Sequence, residues 1–190
     1  MKIEGLRLRQ RDSTTCGPSI AVVAGALVDP AYRKALTGSP HSPHTRGAVK
    51  AWFDDEQLRI HTEVNRVWPR MLGTTPMGIA RALTTRTEVR GVRYRWRLFR
   101  GRRDRLTDVL HHVGADWPVA MLVGRIIPRH WVLIVGVSGD TLSCYEPSSG
   151  ELRPASLDAV RRSRLTGVGY PRPFAFVLPS SKAATRSATS

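Results

Sequence analysis

A cysteine near the amino terminus lies in a setting that favours a reactive thiol. Cys16 is followed by Gly17, Pro18 and an apolar run over 20–28, which predicts a helix beginning at the cysteine. The N–H groups and the dipole at a helix start favour a thiolate. Gln10, six residues upstream, carries a side-chain amide that can donate to an oxyanion. Together with a base and a carboxylate, this unit would supply the parts of a thiol-based acyl-transfer enzyme.

A histidine and a carboxylate flank two neighbouring predicted strands far downstream. His130 opens the strand over 131–137, and Glu146 follows the strand over 141–145. A histidine can shuttle the proton of a cysteine nucleophile, and a carboxylate can hold the ring in the useful tautomer. Each residue alone is also typical of an ordinary strand edge or turn. Their occurrence together with the Gln10 and Cys16 unit favours a catalytic interpretation.

The loop between these two strands decides whether His130 and Glu146 share a face of the sheet. A three-residue loop over 138–140 pairs Val132 with Glu146 and sets His130 one diagonal step away, on the same face. A two-residue loop turns Glu146 to the opposite face. We therefore predict the contact on condition of the three-residue loop or of a compensating bulge.

The elements that must position these residues change type along the chain. Helices are predicted over 16–28, 46–58, 76–83 and 105–113. Strands are predicted over 92–98, 118–123, 131–137, 141–145 and 174–178, and a loop over 39–44. Helices followed by an antiparallel sheet predict an α+β fold, with the N-terminal helices packed on the C-terminal sheet.

The length of 190 residues fits one domain, which we predict over 1–178, followed by a disordered polar tail over 179–190. No apolar run approaches the ~18–20 residues that a membrane helix needs, and the N-terminus lacks the apolar region of a secretory signal. Two cysteines, Cys16 and Cys144, are too few for a disulfide framework. We therefore expect a cytoplasmic protein with no membrane association.

The formal net charge of +15 raises the question of an anionic partner. Arginine greatly outnumbers lysine, as in GC-rich coding sequences, and no nucleic-acid-binding motif is present, so nucleic acid is an unlikely partner. Arg93, Arg95 and Arg97 alternate along one predicted strand and are expected to face solvent, where an acidic substrate or partner could bind. His41 and His44 lack a third metal ligand at suitable spacing, so we expect neither metal nor cofactor.

The motifs resemble those of the double-glycine, or bacteriocin-processing, peptidases, a family of papain-like cysteine peptidases. The resemblance extends over about 10–150 and rests on Gln10-x5-Cys16-Gly17-Pro18, His130-Trp131-Val132 and the residue before Pro147. It implies a papain-like α+β fold with Cys16 as nucleophile, His130 as general base and acid, Gln10 as oxyanion donor and Glu146 as the third member. The family usually has aspartate in place of Glu146.

The leading hypothesis is a stand-alone cysteine peptidase that acts on a peptide or protein substrate, without carry-over of double-glycine specificity. A deamidase or other acyl transferase would use the same triad, because the cleft selects the acyl acceptor. The departure at Glu146 keeps open a third hypothesis, a catalytically inactive papain-like binding module.

Overall fold

A computed structural model of the chain describes residues 7–39, 42–64 and 74–180. His41 and residues 181–190 of the predicted tail lie outside these ranges. Pro179, assigned to the tail by the sequence analysis, instead ends the last strand of the sheet.

The first helix, α1 (Cys16–Val28), has the predicted bounds. Nearly all of its residues are buried, so it is the central helix of the molecule. Asp29 is extended and cannot continue the helix, since Pro30 follows it. The Asp29 side chain then accepts a hydrogen bond from the backbone N–H of Ala31 and caps the next helix.

The described part of the chain contains five further α-helices: α2 (Pro30–Thr37), α3 (Arg46–Val64), α4 (Pro76–Arg86), α5 (Thr107–Gly114) and α6 (Leu157–Arg161). The helices predicted at 46, 76 and 105 are present, and the first two continue past their predicted ends. The sequence analysis did not predict α2 or α6. Among the described residues no helix has both the length and the apolar character required to cross a membrane.

Six strands form one antiparallel sheet: β3 (Tyr94–Leu98), β4 (Val119–Gly124), β5 (Pro128–Ser138), β6 (Thr141–Glu146), β7 (Glu151–Ser156) and β8 (Arg172–Pro179). Their order in the sheet is β3-β8-β4-β5-β6-β7. A separate two-stranded pair, β1 (Gly38–Ser39) and β2 (Ser42–Pro43), lies where a loop was predicted. The predicted α+β class is confirmed.

Helices cover both faces of the sheet. On one face α1 and the other N-terminal helices pack on inward side chains such as Trp131 and Leu133, as predicted. On the other face α5 and α6 cover residues such as Val132, Ile134 and Phe176. The alternation along β5 places Trp131 and Val132 in different core layers, so burial fixes the facing of the central residues of this strand.

The loop of the hairpin between β5 and β6 differs from the prediction, but the relation of His130 to Glu146 is the predicted one. Ser138 pairs with Thr141, so the loop has two residues, Gly139 and Asp140. The predicted three-residue loop is therefore wrong. The register shifts between Ile134 and Gly136, where Val135 is the extra residue of a β-bulge. This bulge reverses the facing beyond it and restores the predicted relation of His130 to Glu146.

The N-terminal segment before α1 is attached to the far end of this hairpin. The backbone N–H of Gln10 donates to the Pro147 carbonyl at 2.8 Å, and the Tyr145 hydroxyl donates to the Leu8 carbonyl. These bonds place the segment that leads into Cys16 next to the turn that carries Glu146.

Candidate active site

Cys16 is the first residue of α1 and is only 2% exposed. The preceding residue, Thr15, is the N-cap position but makes no capping hydrogen bond with its side chain. Its hydroxyl instead donates to the Asp12 carbonyl at 3.1 Å. The N–H groups of the first turn are therefore not covered by a cap, which leaves them for an anionic group at the thiol.

The loop from Gln10 to Cys16 is held by a buried glutamine of α3. The Gln57 Oε1 atom accepts hydrogen bonds from the Arg11 N–H at 3.0 Å and from the Ser19 hydroxyl at 2.7 Å. Since Ser19 lies one turn after Cys16 on α1, Gln57 fixes the loop relative to the helix that carries the thiol. Sequence reasoning did not single out Gln57, because a glutamine within a helix is usually solvated.

His130 and Glu146 form a buried pair, with Nε2 of the ring 2.8 Å from Oε1 of the carboxylate. They are 7% and 6% exposed. Glu146 also accepts the backbone N–H groups of Ser148 at 2.9 Å and Ser149 at 2.8 Å. Burial by itself would raise the pKa of Glu146, but the bonds from His130 and these two N–H groups outweigh it and hold that pKa well below its usual range.

The side chain of Cys16 lies within interaction range of the His130 imidazole and contributes to its raised pKa. Since Glu146 occupies Nε2, Nδ1 is the ring nitrogen left for the sulfur. Burial opposes the charged ring, but the hydrogen bonds and negative charges of Cys16 and Glu146 raise the pKa of His130 to about 9. The ring therefore carries its proton at neutral pH and stands between two groups that stabilise its positive charge.

Gln10 lies beside the Glu146 turn rather than free in solvent. Its side-chain Nε2 donates to the Asp12 carbonyl at 2.7 Å, and its Oε1 accepts from the Ser148 hydroxyl at 3.4 Å. An amide nitrogen has two N–H groups, so one remains after the bond to Asp12. The four predicted residues thus belong to two adjoining groups. His130 and Glu146 are linked by a hydrogen bond, with Cys16 near the ring, and Gln10 adjoins the Glu146 turn through its backbone.

Loop residues that sequence reasoning missed complete the surroundings of the thiol and the ring. Thr74 accepts a hydrogen bond from Trp131 Nε1 at 2.8 Å through its carbonyl, and its side chain lies against Gly17. Gly169 has a φ of +86°, and a Cβ there would lie 3.3 Å from Cδ2 of His130. The Tyr170 ring lies 6.1 Å from the His130 ring. These positions are set by tertiary packing, and no local sequence pattern indicates them.

The second cysteine lies apart from this arrangement. Cys144 is fully buried on β6, in the core layer covered by α5 and α6. Burial raises the pKa of its thiol to about 12. Both cysteines are free thiols, and only Cys16 has a histidine partner.

Of the three arginines on strand β3, two are exposed as expected and one is not. Arg97, expected to face solvent, is half-buried and forms ion pairs with Asp104 and Asp108. Arg93 and Arg95 are exposed, as expected. Among residues 7–39, 42–64 and 74–180, no group of three or more His, Cys, Asp or Glu side chains is arranged to hold a metal ion.

No protein-family model matches the sequence of this chain. None of the curated proteins matches it at a significant level.

Proposed function

We propose that this protein is a papain-like cysteine peptidase that cleaves a peptide bond with Cys16, His130 and Glu146. The observation that carries the proposal is the buried hydrogen-bonded pair of His130 and Glu146, with the buried Cys16 side chain within interaction range of the same ring. The thiol opens a helix whose N-cap side chain leaves the first turn uncovered. The sequence resemblance supports the same assignment of roles.

In the first step the Cys16 thiolate attacks the carbonyl carbon of the substrate, and a bond forms between sulfur and carbon. The carbonyl oxygen gains negative charge, which the backbone N–H of Cys16 and the remaining N–H of Gln10 stabilise. His130 then gives its proton to the leaving amine as the carbon–nitrogen bond breaks. The products of this half-reaction are a thioester on Cys16 and a free amine.

In the second step His130 acts as a base. A water molecule attacks the thioester carbonyl and transfers a proton to His130. The sulfur–carbon bond breaks, a carboxylic acid leaves, and Cys16 and His130 return to their starting charges. Glu146 keeps the ring oriented in both steps because its own position is fixed by the N–H groups of Ser148 and Ser149.

The test is the pH dependence of Cys16 alkylation by iodoacetamide, followed by mass spectrometry, in the wild type and in His130→Ala. The proposal expects the wild-type Cys16 to react below pH 7. The variant should react only near ~8–9, as ordinary thiols do. Identical pH profiles of Cys16 alkylation in the two proteins would refute a catalytic pair of Cys16 and His130. The non-catalytic binding module would then be the better hypothesis.

A second measurement identifies the reaction. Wild type and Cys16→Ala are incubated with a mixture of unmodified peptides, and new amines and released ammonia are quantified. New peptide amines that depend on Cys16 support a peptidase, whereas ammonia without chain cleavage assigns the same triad to a deamidase. Cys16→Ala is the matched control because the small residue keeps the helix start intact.

A further inference from the structure

A cavity of about 580 Å³ lies beside the proposed catalytic histidine. Two segments form its walls, residues 125–129 at the turn between β4 and β5, and residues 169–171 before β8. Gly169 and Tyr170 belong to this wall, and both lie against the His130 ring. The cavity therefore shares these two residues with the surroundings of His130.

The turn between β4 and β5 presents two large apolar side chains to solvent. Ile126 is 81% exposed and Ile127 is 53% exposed. Two adjacent exposed isoleucines lack the favourable free energy that such side chains gain when they are buried in a core. Apolar side chains grouped on a surface in this way mark a binding site more often than isolated ones do.

Two arginines flank these isoleucines. Arg125 and Arg129 line the cavity and are exposed, and neither forms an ion pair with a described residue. Among the residues that the structure describes, no acidic side chain lines the cavity. Arg97 differs, since Asp104 and Asp108 neutralise it within the protein. The cavity thus combines an aliphatic surface with uncompensated positive charge.

We propose that this cavity is the subsite for the part of the peptide substrate that lies on the leaving-amine side of the scissile bond, and that it selects apolar and acidic side chains there. The assignment rests on the proposed function, in which His130 protonates the leaving amine. Since the cavity shares its wall with His130, the chain that begins at that amine extends into it. Ile126 and Ile127 contact the apolar side chains, and Arg125 and Arg129 attract the carboxylates.

A second copy of this chain fits the cavity less well than an acidic peptide. The chain has a formal net charge of +15, and two facing copies of the turn would bring four arginines together. A nucleic acid would satisfy the charges, but Tyr170 is the single aromatic side chain among the described lining residues, whereas two isoleucines are exposed beside it. The aliphatic surface therefore favours a peptide.

The test measures peptide binding calorimetrically in the Cys16→Ala background, so that binding is observed without turnover. The probes are three hexapeptides of alternating residues, Glu-Leu, Lys-Leu and Glu-Ser, and a single-stranded oligonucleotide. The subsite variants are Arg125→Glu with Arg129→Glu, and Ile126→Ser with Ile127→Ser. The control, Arg93→Glu with Arg95→Glu, makes the same charge change on β3, which β8 and β4 separate from β5.

The proposal expects the Glu-Leu peptide to bind best, with each subsite variant weakening its binding by about tenfold or more and the control changing it little. In the wild type, the Glu-Leu peptide should also slow Cys16 alkylation. Equal binding of the Lys-Leu or Glu-Ser peptide, tighter binding of the oligonucleotide, or equal weakening in the control would overturn it. So would binding that leaves Cys16 alkylation unchanged.

The design separates this proposal from the proposed function. Peptide selectivity in Cys16→Ala reports on the cavity alone, since that variant has no nucleophile. The pH dependence of alkylation in the wild type and His130→Ala reports on the Cys16 and His130 pair alone. If the cavity is selective but the thiol is unreactive, the peptidase hypothesis is refuted, and with it the assignment of the cavity to one side of a scissile bond. The cavity would then be a peptide-binding surface. A reactive thiol beside an unselective cavity would refute the subsite only.

Discussion

Replacing Glu146 by glutamine tests how the negative charge of this side chain affects the pKa of His130. Glu146→Gln keeps the size of the side chain but removes its charge. The substitution also leaves one acceptor oxygen where the carboxylate had two. The three donors on Glu146 are the His130 ring and the N–H groups of Ser148 and Ser149, and one of them must then face an amide nitrogen.

The pKa of His130 sets the size of the expected effect. It is raised from 6.5 to about 9 although burial lowers it, so its partners favour the charged ring by about 3 kcal/mol or more. A hydrogen bond to a charged group contributes about 1.5–3 kcal/mol, which corresponds to about 1–2 pKa units. We therefore expect Glu146→Gln to lower the pKa of His130 to about 7–8, with Cys16 supplying the remainder.

The assay is an NMR titration of the histidine ring carbons between pH 5 and pH 10, with the His130 signal assigned from its absence in His130→Ala. The control is Glu151→Gln. Glu151 pairs with Glu146 in the β6–β7 register, but its carboxylate binds Arg7 and Arg153. We expect the His130 titration in the control to match the wild type. A wild-type pKa near 6.5, or an equal fall in both variants, would refute the reasoning.

The same shift predicts how stability depends on pH. A pKa that is raised in the folded state stabilises the fold fully below the unfolded value of 6.5, and this stabilisation is lost as the pH rises through about 9. Urea unfolding across this range should show the free energy of unfolding of the wild type falling relative to His130→Ala. The lowered pKa of Glu146 acts in the opposite direction, since its contribution is lost only as the solution becomes strongly acidic.

Three shorter predictions concern other parts of the site. Iodoacetamide at neutral pH should label Cys16 and spare Cys144 until the protein is denatured, because burial raises the pKa of the Cys144 thiol to about 12; peptide mass mapping before and after urea treatment checks this. Gly169→Ala should destabilise the protein by about 1–2 kcal/mol, since its φ of +86° disfavours a Cβ, and it should shift the NMR signal of the adjacent His130 ring. Gln57→Ala should lower the free energy of unfolding by about 1–2 kcal/mol, since the Arg11 N–H loses its acceptor and the Ser19 hydroxyl keeps only the Thr15 carbonyl; equal stability in urea would contradict the role assigned to Gln57.

The hairpin between β5 and β6 shows what the sequence could and could not predict. Alternating apolar residues and the glycine-containing turn located both strands. The loop length was wrong, because Ser138, Gly139 and Asp140 are compatible with either a two-residue or a three-residue loop. The bulge at Val135 depends on how Trp131 and Val132 divide between two core layers, which is a tertiary property.

Strand β7 was missed for a different physical reason. Its segment over Glu151–Ser156 is mostly exposed and contains Pro154, which argues against a central strand. Proline is tolerated there because β7 is an edge strand with a single neighbour, β6. Edge strands bury little, so their sequences carry a weak hydrophobic signal.

The candidate site was predictable where residue type restricts chemistry. The contact between His130 and Glu146 was predicted from residue type and strand pairing, and it is present. The catalytic roles of Cys16, His130, Glu146 and Gln10 stay predictions. The contacts of Thr74 and Gly169 were not predictable, since both residues lie in loops whose course is set by packing against Gly17 and His130.

The bond from the Tyr145 hydroxyl to the Leu8 carbonyl joins residues 137 positions apart, so the two sides of the candidate site are distant in sequence. Cys16 precedes His130 and Glu146 by 114 and 130 residues, so it is synthesised well before either of them. Closing so long a loop is also entropically costly and slow. The candidate site is therefore incomplete until the sheet has formed.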